Sequence, residues 1–180
     1  MSEPKVNYKY LGLIAYVVAA VVLACHLHSL WNKFVYMDKF NLWPLIAILD
    51  WPKFWLETLT QCLTSPLSEP LFRGTLALDV QGVRLKYPSV YHSINVALHL
   101  GNSLLWGLLV YRIARYQQHT WKKSAPFNPY LLTVLAACLF ASHPITSETV
   151  SYISARSTLL VTFYYLASLH CFLLGFLTKE

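Results

Sequence analysis

Four polar residues, His92, Asn95, His99 and Asn102, recur at intervals of three and four inside an otherwise apolar stretch. That spacing stacks them along one helical face. Polar groups in such a segment are costly unless they meet partners, so the face must turn toward other helices. Two chemistries use these residue types. One is interhelical hydrogen bonding, which needs only neighbours. The other is axial ligation of haem or another tetrapyrrole by a histidine pair, drawn from His99 and His170 or from His26 and His28. Nothing in the sequence fixes such pairs in register, so interhelical bonding is the expectation and pigment binding the lesser alternative.

A second polar group follows the apolar run that ends near residue 142, in the sequence HPITSETVSYISAR from His143 to Arg156. Proline directly after His143 breaks a helix there. Thr146 or Ser147 is then expected to cap a short helix carrying Glu148. On its own the segment reads as a capped turn between two helices, with Arg156 reaching to the membrane interface. The cysteines add little. Cys25, Cys138 and Cys171 fall in apolar runs and Cys62 stands apart, so no metal-binding or redox spacing is present.

The elements that position these groups follow from composition. The 180 residues are 56% hydrophobic and 12% charged, about half the charged share of a soluble domain. This excludes a disordered chain, a coiled coil and a water-soluble globule. A bilayer crossing needs about 20 uncharged, apolar residues. Four stretches qualify, and the expected spans run over about 10–32, 88–111, 126–146 and 157–178 of one membrane domain, 1–180. The first follows Lys5 and Lys9 but is too long, and lacks the small-residue exit, for a cleaved signal peptide. The fold class is therefore all-α, a polytopic membrane protein with four transmembrane helices.

Orientation follows from the distribution of charge. With the N-terminus inside, the inner segments hold seven basic and two acidic residues, and the outer ones seven basic and six acidic. Basic residues are retained on the cytoplasmic side, which places both termini there. The formal charge of +6 is then mostly topology, and no nucleic-acid partner is expected. The outer loop, 33–86, is neither hydrophilic nor low in complexity. Its stretch FNLWPLIAILDWPKFWLETL is too interrupted by Pro44 and Pro52 to span, but its tryptophans suit a headgroup layer. A second short helix is expected in PLFRGTLALDV. The loop thus reads as short interfacial helices lying on the membrane.

These segments, taken in order, resemble a known family. The run ACLFASHPITSETVSYISARSTLL is similar to part of the transmembrane and tetratricopeptide-repeat O-mannosyltransferases, which read roughly LLFALHPVHTEAV and then GR, an acidic residue and LL. YHSINVALHLGNSLL resembles the family's YHLVNLLLHLLNALL, which takes in the His92, Asn95, His99 and Asn102 stripe. NKFVYMDKFNL resembles its aspartate-pair loop, and EPLFRGTLALDV its RPLTLLSFALDY. The resemblance runs from about residue 25 to 175.

The resemblance implies a GT-C type membrane glycosyltransferase module that uses a polyprenyl-phosphate sugar donor at its outer side. Transfer to a hydroxyl needs a carboxylate base, together with groups that hold the departing phosphate. Carried over residue by residue, the implied catalytic residues are Asp38, His143, Glu148 and Arg156, with no metal site. Four positions depart from the pattern: Met37 for the first aspartate of the pair, Glu69 for an arginine, Thr146 for a histidine and Thr158 for an acidic residue. Two of these remove a carboxylate and two remove a base or phosphate-binding group, which makes the field less favourable to an anionic donor.

The expectation is accordingly a truncated, degenerate and non-catalytic glycosyltransferase-like subunit. It would pack against other integral membrane subunits and lipids, and stabilise or assemble a larger complex in a bacterial inner membrane or an endoplasmic-reticulum or other organelle membrane. The alternative is a working component of a mannosyltransferase-like enzyme acting on the outer or lumenal side.

Overall fold

The computed structural model describes residues 7–34, 38, 42, 52, 56, 60, 68–83, 86–120 and 128–177. The elements that can be bounded among the described residues are the α-helices α1 (Tyr8–His26), α2 (Ser68–Val83), α3 (Pro88–Thr120), α4 (Pro129–Ser142), α5 (Pro144–Ser151) and α6 (Arg156–Leu177). Two 3-10 turns extend this order, Leu27–Trp31 after α1 and Ile153–Ala155 before α6. No strand occurs among the described residues. Of the interfacial helix expected around 40–59, only Leu42, Pro52 and Leu56 are described, each helical; the rest lies outside the described residues. The second one expected in that loop corresponds to α2, which is longer than anticipated.

Local chemistry sets several of the boundaries. Asn7 caps α1 by accepting the Lys9 amide at 3.2 Å. Asn128 does the same for α4 through Tyr130 at 2.9 Å, with Pro129 at the first helical position, where its missing N–H costs nothing. α4 stops because Pro144 cannot donate to the preceding turn and pushes His143 into extended backbone. The chain then bends by 56° into α5. The cap of α5 differs from expectation. His143 itself provides it, its Nδ1 accepting the Ile145 amide at 3.3 Å, while the Thr146 hydroxyl donates to the His143 carbonyl at 2.6 Å.

Among the described residues, three helical segments are long and apolar enough to cross a membrane: Tyr8–Trp31, Pro88–Gln118 and Ile153–Gly175. The bent pair α4–α5 makes a fourth if it is counted as one span. α4 alone has 14 residues, about 21 Å of helix, which is short of a core about 30 Å thick. α3, with 33 residues, runs well past the span expected from its uncharged stretch.

α3 is the hub. It packs on α1, α4 and α6, while α2 lies against α6 and α3. Lipid tails are as apolar as leucine, so helices in a bilayer are held by close packing and polar pairing rather than by a hydrophobic gain. Close packing is visible where α3 meets α4. A side-chain carbon added at Gly107 would stand 2.9 Å from the Ala137 Cβ, so only glycine permits this approach. Two apolar clusters flank the polar stripe. One joins Ile14, Val18 and Val22 of α1 to Val96, Ala137, Ala141 and Val150. The other gathers Phe72, Leu76 and Val80 of α2 with Tyr91, Ile153 and Leu160.

Candidate functional site

The stripe on α3 lies inside the bundle, with His92, Asn95, His99 and Asn102 all buried. Each step along it meets a different neighbour. Asn102 donates to the Leu159 carbonyl of α6 at 3.0 Å. His99 Nε2 meets the Ala141 carbonyl at 3.1 Å, and His26 Nε2 from α1 meets the same oxygen at 3.0 Å. A carbonyl oxygen only accepts, so both rings carry a proton on Nε2 in this arrangement. That oxygen needs partners because of the break at Pro144: the Ile145 amide, which would bond it in a continuous helix, turns instead to His143. The two histidines thus satisfy a carbonyl released by the kink, their rings meeting edge-on at 4.9 Å.

Further along α3, His170 of α6 meets the Leu105 carbonyl at 2.9 Å. The structure does not bring His99 and His170 together as a ligand pair. Each is anchored to a different backbone oxygen, and His99 stacks on Phe140. Among the described residues no group of three or more His, Cys, Asp or Glu could hold a metal ion.

The densest polar group surrounds the start of α6. Arg156 is 0% exposed, and its guanidinium is held from three directions. Nη1 donates to Asp79 Oδ2 of α2 at 2.6 Å, Nε to Asn95 Oδ1 of α3 at 3.0 Å, and Nη2 to the Tyr91 carbonyl at 3.1 Å. Asn95 then uses its amide on the carbonyls of Tyr152, at 3.0 Å, and Val150, at 3.4 Å. These lie at the end of α5, where helix carbonyls otherwise lack partners. Asp38, also fully buried, accepts from both the backbone N–H and the hydroxyl of Ser154, at 3.0 and 2.9 Å. Ser154 precedes α6 by two residues, so the carboxylate supplies its N-terminus with an acceptor and a favourable charge. Burial pushes the Asp79 carboxyl above the ordinary carboxylate range, and the Arg156 guanidinium opposes that shift. Desolvation is the larger effect, despite the short contact.

Of the four residues implied by resemblance, Asp38 and Arg156 therefore meet at one turn, linked through the Ser154–Arg156 segment. His143 and Glu148 are exposed on α5 and make no hydrogen bond to that cluster. Asp79, Tyr91 and Ser154 were not anticipated as members. Asp79 was the findable one, being an acid set between the apolar Leu78 and Val80 while a buried arginine must have a counter-charge.

No family model matches the chain, and no solved structure does. In an alignment 176 positions long that covers 91% of the chain, it is 32% identical to protein O-mannosyl-transferase TMTC3 of Mus musculus. The corresponding Homo sapiens protein is 31% identical over the same extent. Over most of its own length the chain is thus similar to part of the TMTC O-mannosyl-transferases. It spans about one sixth of the length of these relatives, 16% and 17% respectively. With its apolar helices, this relationship makes the chain a glycosyltransferase-like, multi-pass membrane protein.

Proposed function

We propose that this protein is a glycosyltransferase-like subunit without transferase activity of its own, which packs in a larger membrane assembly and stabilises it. The observation that carries this reading is the Arg156 guanidinium, fully buried and bound to Asp79, Asn95 and the Tyr91 carbonyl. A transferase needs a cation that reaches the departing phosphate and a carboxylate that reaches the acceptor hydroxyl. Here the arginine ties α2, α3 and α6 together, and Asp38 holds the N-terminal turn of α6. Met37 and Glu69 point the same way, since each removes a group the resembling family has at that position. The charge asymmetry supports an orientation with the Asp38 side of the bundle outside the cytoplasm. The test is transfer itself. Purified protein given a polyprenyl-phosphate mannose and serine- or threonine-containing peptides should form no glycopeptide, and cells carrying Asp38→Asn should keep their O-glycans unchanged.

The relationship to O-mannosyl-transferases favours a second reading, in which the chain is a working component of a lipid-phosphate-sugar-dependent O-glycosyltransferase. Asp38 would then be the base, with Arg156, His143 and Glu148 around donor and acceptor. Loss of O-linked mannose in Asp38→Asn cells with normal protein levels would select this reading over the first.

A further inference from the structure

Beyond the buried cluster, one open cleft lies where α1 and α3 reach the same end of the bundle. It has a volume of about 430 Å³ and is lined by Leu30, Trp31, Asn32, Lys33, Tyr87 and Ser89, among others. That volume falls within the range of small-molecule sites. Its rim has an interfacial composition. Trp31 is 75% exposed and Tyr87 50%, aromatic types that settle at headgroup depth. Two exposed cations stand beside them. Lys33 lines the cleft, and the Lys86 ammonium rests over the Tyr87 ring, 5.4 Å from its centre, within cation–π range.

A second, independent observation lies one helical turn below. His92 is 0% exposed, yet neither ring nitrogen has a hydrogen-bond partner. Buried polar atoms without partners are rare and ask for an explanation. Helical side chains lean toward the N-terminus, which directs His92 toward the turn holding Pro88 and Ser89. The Asn32 backbone, part of the cleft wall, lies near the ring but does not meet hydrogen-bond geometry with either nitrogen.

We infer that this cleft binds the phosphate headgroup of a membrane phospholipid, with Lys33 and Lys86 as counter-charges, Trp31 and Tyr87 at the boundary with the acyl chains, and His92 as a donor from beneath. The cleft sits at Trp31 and Pro88, where the two candidate spans end, and lipid phosphates lie at the ends of spans. Its two cations complement an anionic diester, and the unpartnered imidazole offers the hydrogen bond that a bare charge match would lack. This site is separate from the Arg156 cluster and does not depend on whether the chain transfers sugar.

The test is a titration of the purified full chain in mild detergent with phosphatidylglycerol, counted as lipid adducts by native mass spectrometry. Lys33→Gln/Lys86→Gln alters only exposed positions and should weaken lipid retention about tenfold, the effect of losing roughly one charge-assisted hydrogen bond. His92→Gln, checked for folding by size-exclusion chromatography, should weaken it several-fold. Glycerol 3-phosphate, which lacks the acyl chains, should fail to displace the lipid at matched concentration. Equal retention by the double lysine variant and the unaltered chain would overturn the proposal. So would displacement by glycerol 3-phosphate at matched concentration, which would mark a site for soluble phosphate instead.

Discussion

Arg156 and Asp79, 77 positions apart in the chain, form an ion pair of 2.6 Å with side-chain exposures of 0% and 9%. A buried pair gains little over an apolar pair of the same shape, yet breaking it from one side strands a charge and costs about 3–5 kcal/mol. Arg156→Ala should therefore be among the most destabilising single changes, because it also takes the donor from the Asn95 side-chain oxygen. Asp79→Leu/Arg156→Met should recover much of that loss. Thermal unfolding in detergent, run as a double-mutant cycle, measures both effects. Additive losses would mean that the contact does not couple the two helices.

The close approach of α3 and α4 should be sensitive to one methyl group. Gly107→Ala places a carbon 2.9 Å from the Ala137 Cβ, and overpacking of this kind typically costs about 1–3 kcal/mol. Adding Ala137→Gly in the same chain should restore stability. Failure of that rescue would show that Gly107 matters for some other reason.

Both His26 and His99 meet the Ala141 carbonyl, which predicts an unusual non-additivity. Either histidine alone keeps the carbonyl satisfied, so His26→Leu or His99→Leu should each cost about 1 kcal/mol. The double variant leaves a buried acceptor bare and should cost more than the sum of the two. Equal or smaller loss in the double variant would argue against a shared acceptor.

Much of the helical plan could be read from the chain because membrane spans announce themselves by length and absence of charge. The three-and-four spacing on α3 also marked a face that needs partners, and all four residues are buried. What the partners would be was hidden, since backbone carbonyls carry no sequence signature. The Ala141 oxygen becomes available to His26 and His99 only because Pro144 breaks the helix, a consequence three-dimensional in nature. The pairing of Asp79 with Arg156 leaves no local pattern, because 77 residues separate the two. Thr146 and Ser147 suit a cap on propensity, but Pro144 takes the first helical position of α5, so His143 is the cap and Thr146 and Ser147 lie inside the helix.

The Asp38–Ser154 contacts separate a holding role from a reacting one. Asp38→Asn keeps the shape and one accepting oxygen but removes the charge, so a structural Asp38 predicts a loss of about 1–2 kcal/mol. Ser154→Ala should couple to it in a cycle of unfolding measurements, and cellular O-glycans should not change. Intact stability together with lost O-mannose would reverse the assignment.

The claim that this chain is a structural subunit is tested most directly by its purification from native membrane in mild detergent, with mass and composition of the eluted species determined. The account predicts a single larger assembly in which the chain is present at fixed stoichiometry with other integral membrane proteins. Elution as a lone monomer, free of any such partner, would contradict it.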